Sequence, residues 1–219
     1  MNFLAHCLIG SRAAGNHDPL SPSDGGPSPA ALLAGGFLGD FIKGRVPEEM
    51  PWDLALGVRL HRRVDAYSNT HPDIRVSSER FPRELRRLAP ILVDILCDHL
   101  LTRRWSEYHH EEIGRFTGTI YTEVAALDDW LPDTGARFLT YAREKDLLAR
   151  YGDWSVAENA MLSITRRLGR TELNPLINEA VPPLLTALED DFQRYFPDIL
   201  DHARQWIAAE TAGEEPSRS

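Results

Sequence analysis

Apolar residues recur along most of this chain at the three-and-four spacing of helices, and no segment alternates convincingly as a strand would. Residues 1–13 form a first short helical pattern, and Ser28 followed by Pro29, a cap residue and a first-turn proline, opens a second that runs to about Phe41 and closes at Lys43 and Gly44. Pro51 begins a third, "WDLALGVRLHRRVDAYSN", which stops before Pro72, and a broken stretch then leads through Phe81 and Pro82. Pro90 starts a fourth, to about Tyr108. Its first part, "ILVDILCDHLL" at 91–101, is apolar around the whole circumference, the pattern of a buried helix. Further helical patterns cover 111–130, 136–150, 155–168 and 175–210, the last with a kink expected at Pro182 and Pro183. The stretch "GNHDPLSPSDGGPSP" carries no apolar period and predicts a flexible loop at 14–28, while 212–219 is polar and predicts a disordered tail. The expectation is an all-α fold, a single domain over 1–211 with helices bundled around a buried central one.

Composition narrows the class. With 219 residues, 42% hydrophobic and 26% charged, the chain has the make-up of an ordinary soluble globular protein. No apolar run reaches the roughly 18–20 residues of a membrane span, and "MNFLAHCLIG" has neither a basic flank nor a full apolar stretch, so no membrane partner and a cytoplasmic location are expected. Cys7 and Cys97, both in apolar company, read as small core residues. A net charge of -9 argues against nucleic acid as a partner. Its distribution is uneven: ten arginines against six acids lie between Arg59 and Arg104, the segment that also holds the acids of the apolar helix.

Those acids carry the chemistry. Asp94, Asp98 and His99 have no wet side to face in such a helix, and a buried carboxylate without a partner costs several kcal/mol or takes up a proton. Three other places combine an ionisable group with apolar surroundings: His6 in "NFLAHCLIG", Asp40 in "GGFLGDFIKG", and His61 with Asp65 in "LHRRVD". Residues four apart share a helix face, so His61 with Asp65 and Asp94 with Asp98 can each grip one ion or substrate group. Mixed imidazole and carboxylate donors without thiolates favour a divalent cation such as Mn or Mg, with Fe as a further option, over structural zinc. Such an ion keeps nearby acids ionised and suits hydrolysis of a phosphoryl group, with arginines neutralising charge.

Each residue also has a plainer reading. His6 alone would be structural, Asp40 would cap a helix or pair with Lys43, His61 and Asp65 would form a surface pair, and Asp94 would pair with an arginine. The Asp98–His99 doublet resists such a reading best. His17, His109, His110 and His202 read as solvated, and His71 either caps a turn or reaches the pocket.

The motifs "MNFLAH", "GDFIKG", "HRRVDAYSNTHP", "RRLAPILVDILCDHLLTRRW" and "FQRYFP", in that order over 1–10 and about 34–200, resemble the bacterial acyl carrier protein phosphodiesterases. The resemblance implies an all-helical relative of the HD-domain phosphohydrolases. It also implies Mn-dependent hydrolysis of the phosphodiester between 4'-phosphopantetheine and a serine of holo-acyl carrier protein. It gathers His6, Asp40, His61, Asp65, Asp94, Asp98 and His99 into one site, with His6, Asp40, Asp94, Asp98 and His99 as metal ligands and His61, Asp65 and His99 in the chemistry, His61 or His99 assisting proton transfer. The doublet reads Asp then His, reversed from the usual HD order, so ligands do not map one to one. An acidic carrier protein needs a local basic surface, for which Arg62, Arg63, Arg83, Arg86, Arg87, Arg103 and Arg104 are candidates, with Arg62 and Arg63 nearest the phosphate. Two rivals stand beside this reading: a metal phosphohydrolase of nucleotides or other small phosphodiesters, and a non-enzymatic helical module that only binds the carrier.

Overall fold

The computed structural model describes residues 1–15, 26–127 and 129–212; the central part of the loop expected at 14–28 and nearly all of the expected tail lie outside these. Within them the regular structure is entirely helical: α1 (Phe3–Ala13), α2 (Pro29–Leu38), α3 (Trp52–Ser68), α4 (Pro72–Glu79), α5 (Ala89–Arg103), α6 (Trp105–Tyr108), α7 (Ile113–Ala125), α8 (Asp133–Glu144), α9 (Trp154–Arg167), α10 (Asn174–Ala180) and α11 (Leu185–Ala212), with short 3-10 turns at Ala149–Gly152, Thr171–Leu173 and Pro182–Leu184. The buried apolar side chains form one continuous cluster.

Local chemistry accounts for the starts of α2 and α4. Ser28 caps α2, its hydroxyl accepting from the Ala31 N–H, and Pro29 fills the first turn, where its missing N–H costs nothing. The "broken stretch" after Pro72 is in fact a helix: Pro72 opens α4 and the imidazole of His71 accepts from the Asp73 N–H as its cap, so the proline starts a helix as well as stopping one. The helix expected at 90–108 divides at Arg104 into α5 and α6, and the one expected at 175–210 divides at Pro182 into α10, a 3-10 turn and α11.

The expected central helix shares the middle of the molecule. α5 is buried along most of its length, but α1, α2 and α3 pack even more closely, backbone against backbone. Glycines make this possible. A Cβ on Gly35 would lie 2.6 Å from the Gly57 Cα, one on Gly10 2.4 Å from the Leu32 carbonyl oxygen, and one on Gly36 2.6 Å from the His6 carbonyl oxygen. At the far side, the fully buried Asp191 of α11 accepts from the Ser77 hydroxyl at 2.9 Å and the Arg80 guanidinium at 2.6 and 2.8 Å, tying α4 to α11 across more than a hundred residues.

Candidate functional site

The closest cluster of metal-ligating atoms among the described residues combines α1 and α3. His6, His61 and Asp65 each offer one donor atom, all within 4.8 Å of one another. The two imidazoles lie face to face with ring centroids 3.7 Å apart. Below them the glycine-lined seam lets the helices approach, and Gly39 at the end of α2 gives the His61 ring its space, since a Cβ there would lie 2.2 Å from His61 Cγ. A Gly39→Ala variant should therefore shift the His61 ring and lower turnover by about a hundredfold. Steady-state rates set beside a thermal melt check this, and unchanged turnover would show that the ring position is immaterial.

Asp65 is the hub. Its Oδ1 lies 3.1 Å from His6 Nε2 and its Oδ2 3.3 Å from His61 Nε2, and the Met1 backbone ammonium stands 3.5 Å from the same Oδ1 and 2.9 Å from Asp94 Oδ1. The imidazoles are buried, whereas the carboxylates of Asp65 and Asp94 are each 42% exposed, so the cluster has a dry floor and a mouth open to water. Asp94 is thus a rim residue, contrary to the expectation of a fully enclosed acid. Asp40, on the turn after α2, lies within electrostatic range of both His61 and Asp65, and burial raises its carboxyl above the usual range.

The ring nitrogens test whether these residues suit a cation. His61 Nδ1 is 2.8 Å from the Gly36 carbonyl, a pure acceptor, so Nδ1 carries the proton and donates. Nε2, 3.3 Å from Asp65 Oδ2, donates to the carboxylate when it carries a proton and shares a cation with it when it does not. A carbonyl that fixes one nitrogen so that the other is free to ligate is the usual support of a metal-binding histidine. Two imidazole nitrogens and a carboxylate, with no thiolate, fit a divalent transition ion well.

Electrostatics point the same way. Burial, reinforced by the stacked His61, lowers His6 to about 3, while Asp65 is held well below the usual carboxylate range by hydrogen bonds from the two histidines, despite its own partial burial. Because the folded protein binds a proton at His6 less readily than the unfolded chain, His6 contributes stability that is lost as pH falls from about 6.5 towards 3. The stability of the wild type relative to a His6→Asn variant should therefore decline across that window, by about 1.4 kcal/mol per pH unit where the slope is full. Denaturant melts at pH 7 and 4 measure it, and a pH-independent difference would remove His6 from the titration.

Other expected site residues stand elsewhere. Asp98, fully buried, accepts from the Leu4 N–H at 2.9 Å with Oδ2 and from the Ala5 N–H at 2.9 Å with Oδ1, so it caps the N-terminus of α1 instead of joining the cluster. Asn2, in the local cap position, makes no such bond and donates to the Tyr151 hydroxyl. His99 gives Nδ1 to the Tyr151 carbonyl at 2.8 Å, meets Trp154 edge-on, and has Arg103 and Glu189 as its charged neighbours. Arg62, expected at the phosphate, donates to the carbonyls of Gly44 and Ile42 and so braces the chain between α2 and α3. Arg104 is paired with Glu107 and Glu189. Arg63, Arg83, Arg86, Arg87 and Arg103 are exposed and form no ion pair among the described residues. Two histidines read as solvated are not: His109 is buried against Trp105, and His202 stacks on Tyr67 at 3.9 Å.

A family model described as acyl carrier protein phosphodiesterase matches residues 1–199. A protein of Shigella boydii bearing that name is 30% identical over 209 residues, covering 93% of this chain and 97% of the relative. Proteins of the same name from Escherichia coli and Salmonella newport are 29% identical with the same coverage. No solved structure matches the chain.

Proposed function

The chain belongs to the acyl carrier protein phosphodiesterase family, and from that premise we propose that it hydrolyses the phosphodiester joining 4'-phosphopantetheine to a serine of holo-acyl carrier protein, releasing the apo protein and 4'-phosphopantetheine. The observation that carries the reading is the His6–His61–Asp65 cluster, with its dry imidazole floor and half-exposed carboxylate mouth. These three residues would hold a divalent cation, Mn by the donor set and the family, with Mg or Fe as the other options. Bound there, the cation would stabilise charge on phosphoryl oxygens and ease deprotonation of water.

The protein's own groups do the remaining work. Gly36 orients the His61 ring through its carbonyl, Asp65 fixes both rings at once, and Asp94 and Asp40 add negative charge around the pocket. His99 is assigned no proton transfer, because its Nδ1 is engaged with the Tyr151 carbonyl and its ring is not among the donors of the cluster. The exposed Arg63, Arg83, Arg86, Arg87 and Arg103, which form no ion pair among the described residues, provide the basic surface for an acidic carrier, a steering role that salt weakens. No helix among the described residues is long and apolar enough to cross a membrane.

The direct test is mass spectrometry of holo-acyl carrier protein incubated with the purified protein and Mn. Loss of the phosphopantetheine mass, abolished by a chelator and restored by Mn, is expected. An unchanged carrier beside brisk cleavage of a nucleotide phosphodiester would replace this reading with the small-substrate one.

A further inference from the structure

A cleft of about 490 Å³ lies between α1, α5, α8 and α9. Its lining adjoins the cluster along the chain: Phe41 and Ile95 directly follow Asp40 and Asp94, and Asn2 and Phe3 lie one turn before His6, although His6, His61 and Asp65 do not themselves line it. One wall is aromatic and apolar, where Phe3 and Phe41 meet Phe138 with ring centroids 4.3 and 6.0 Å away. The facing wall is α9, which presents two adjacent rows: Ser155, Asn159 and Ser163 at four-residue intervals, and Val156, Ala160 and Ile164 beside them. Lys145 and Arg167 stand at the cleft without an ion pair among the described residues.

We propose that this cleft receives the pantetheine arm of the substrate, an inference that rests on the function proposed above. An arm of this kind alternates amide groups with short aliphatic stretches and is tied at one end to an anionic phosphate. A wall that pairs a hydrogen-bonding row with an apolar row, running about 12 Å from Ser155 to Ser163, matches that alternation. Lys145 and Arg167 at the cleft complement the anionic phosphate, and the lining runs into the cluster through the residues next to Asp40 and Asp94. The arm, and not the bulk of the carrier, is the fitting occupant, because a cleft of this volume is the size of a small ligand.

Asn159 and Ser163 are exposed helical positions, so tryptophan there fills the cleft without disturbing the core. Asn159→Trp and Ser163→Trp should each lower kcat/KM on holo-acyl carrier protein by about tenfold or more and weaken calorimetric binding of free 4'-phosphopantetheine to a similar degree. Hydrolysis of bis(4-nitrophenyl) phosphate, which has no arm, should stay within about twofold of the wild type. Retained activity and retained affinity in both variants would overturn the proposal, and so would equal losses on both substrates. A wild type that leaves holo carrier intact would defeat the hydrolase reading separately, while its titration with 4'-phosphopantetheine, compared with the two variants, still decides the cleft.

Discussion

Replacing Asp65 by asparagine is expected to lower turnover by about a thousandfold while leaving the helices folded. The side chain reaches both imidazoles, at 3.1 and 3.3 Å, and it is 42% exposed, so an amide of the same shape fits without a buried vacancy. The amide loses the negative charge, and with it the charge-assisted bonds to the histidines. Metal content should fall in parallel, read by elemental analysis of the purified variant. An Asp65→Asn protein that turns over within tenfold of the wild type and takes up Mn to the same extent would remove the cluster from the chemistry altogether.

The second large effect concerns stability. Asp98→Ala should destabilise the fold by about 3–5 kcal/mol, because it strips the acceptor from two buried N–H groups at the start of α1 and leaves a hole where no water reaches. For a chain of this length that corresponds to a melting temperature lower by about 10 °C. The pH dependence has its own sign. Burial raises Asp98 to about 7 against the two backbone hydrogen bonds, so the folded state holds this proton more tightly than the unfolded chain does. Its contribution therefore declines as pH rises from about 4 to 7, opposite to that of His6, and the deficit of the variant should shrink between pH 5 and 8. Denaturant unfolding at the two values settles it. A melting temperature within 2 °C of the wild type at both would show that α1 is held some other way.

How much of this was readable from the residues alone differs from place to place. The all-helical class follows from the spacing of apolar positions, and the start of α2 follows from Ser28 and Pro29, because these are local effects; its end comes at Leu38 with Gly39 as the cap, earlier than the expected Phe41 and Gly44. The pairing of His61 with Asp65 is equally local, being one turn of helix. The role of Asp98 is not. An acid in an apolar helix announces that a partner exists, but a cation and a distant helix N-terminus satisfy it alike, and Asn2 offered a nearer cap that the fold does not use. α4 was hidden because Pro72 reads as a stop, and only the side chain of His71 reveals that it is a start. The cleft left no signature at all, since the rows on α9 look like any half-exposed helix until α8 and α1 are set opposite them.

The glycines between α1, α2 and α3 set a limit on how this protein can change. Where a single added methyl would strike backbone, as at Gly10, Gly35 and Gly36, neither helix can yield without moving His6 or His61. Variation in what the protein accepts has room only on the other flank, along α8 and α9, where side chains face open space. Engineering for altered substrates belongs there, and a library built on the seam would return mostly inactive chains.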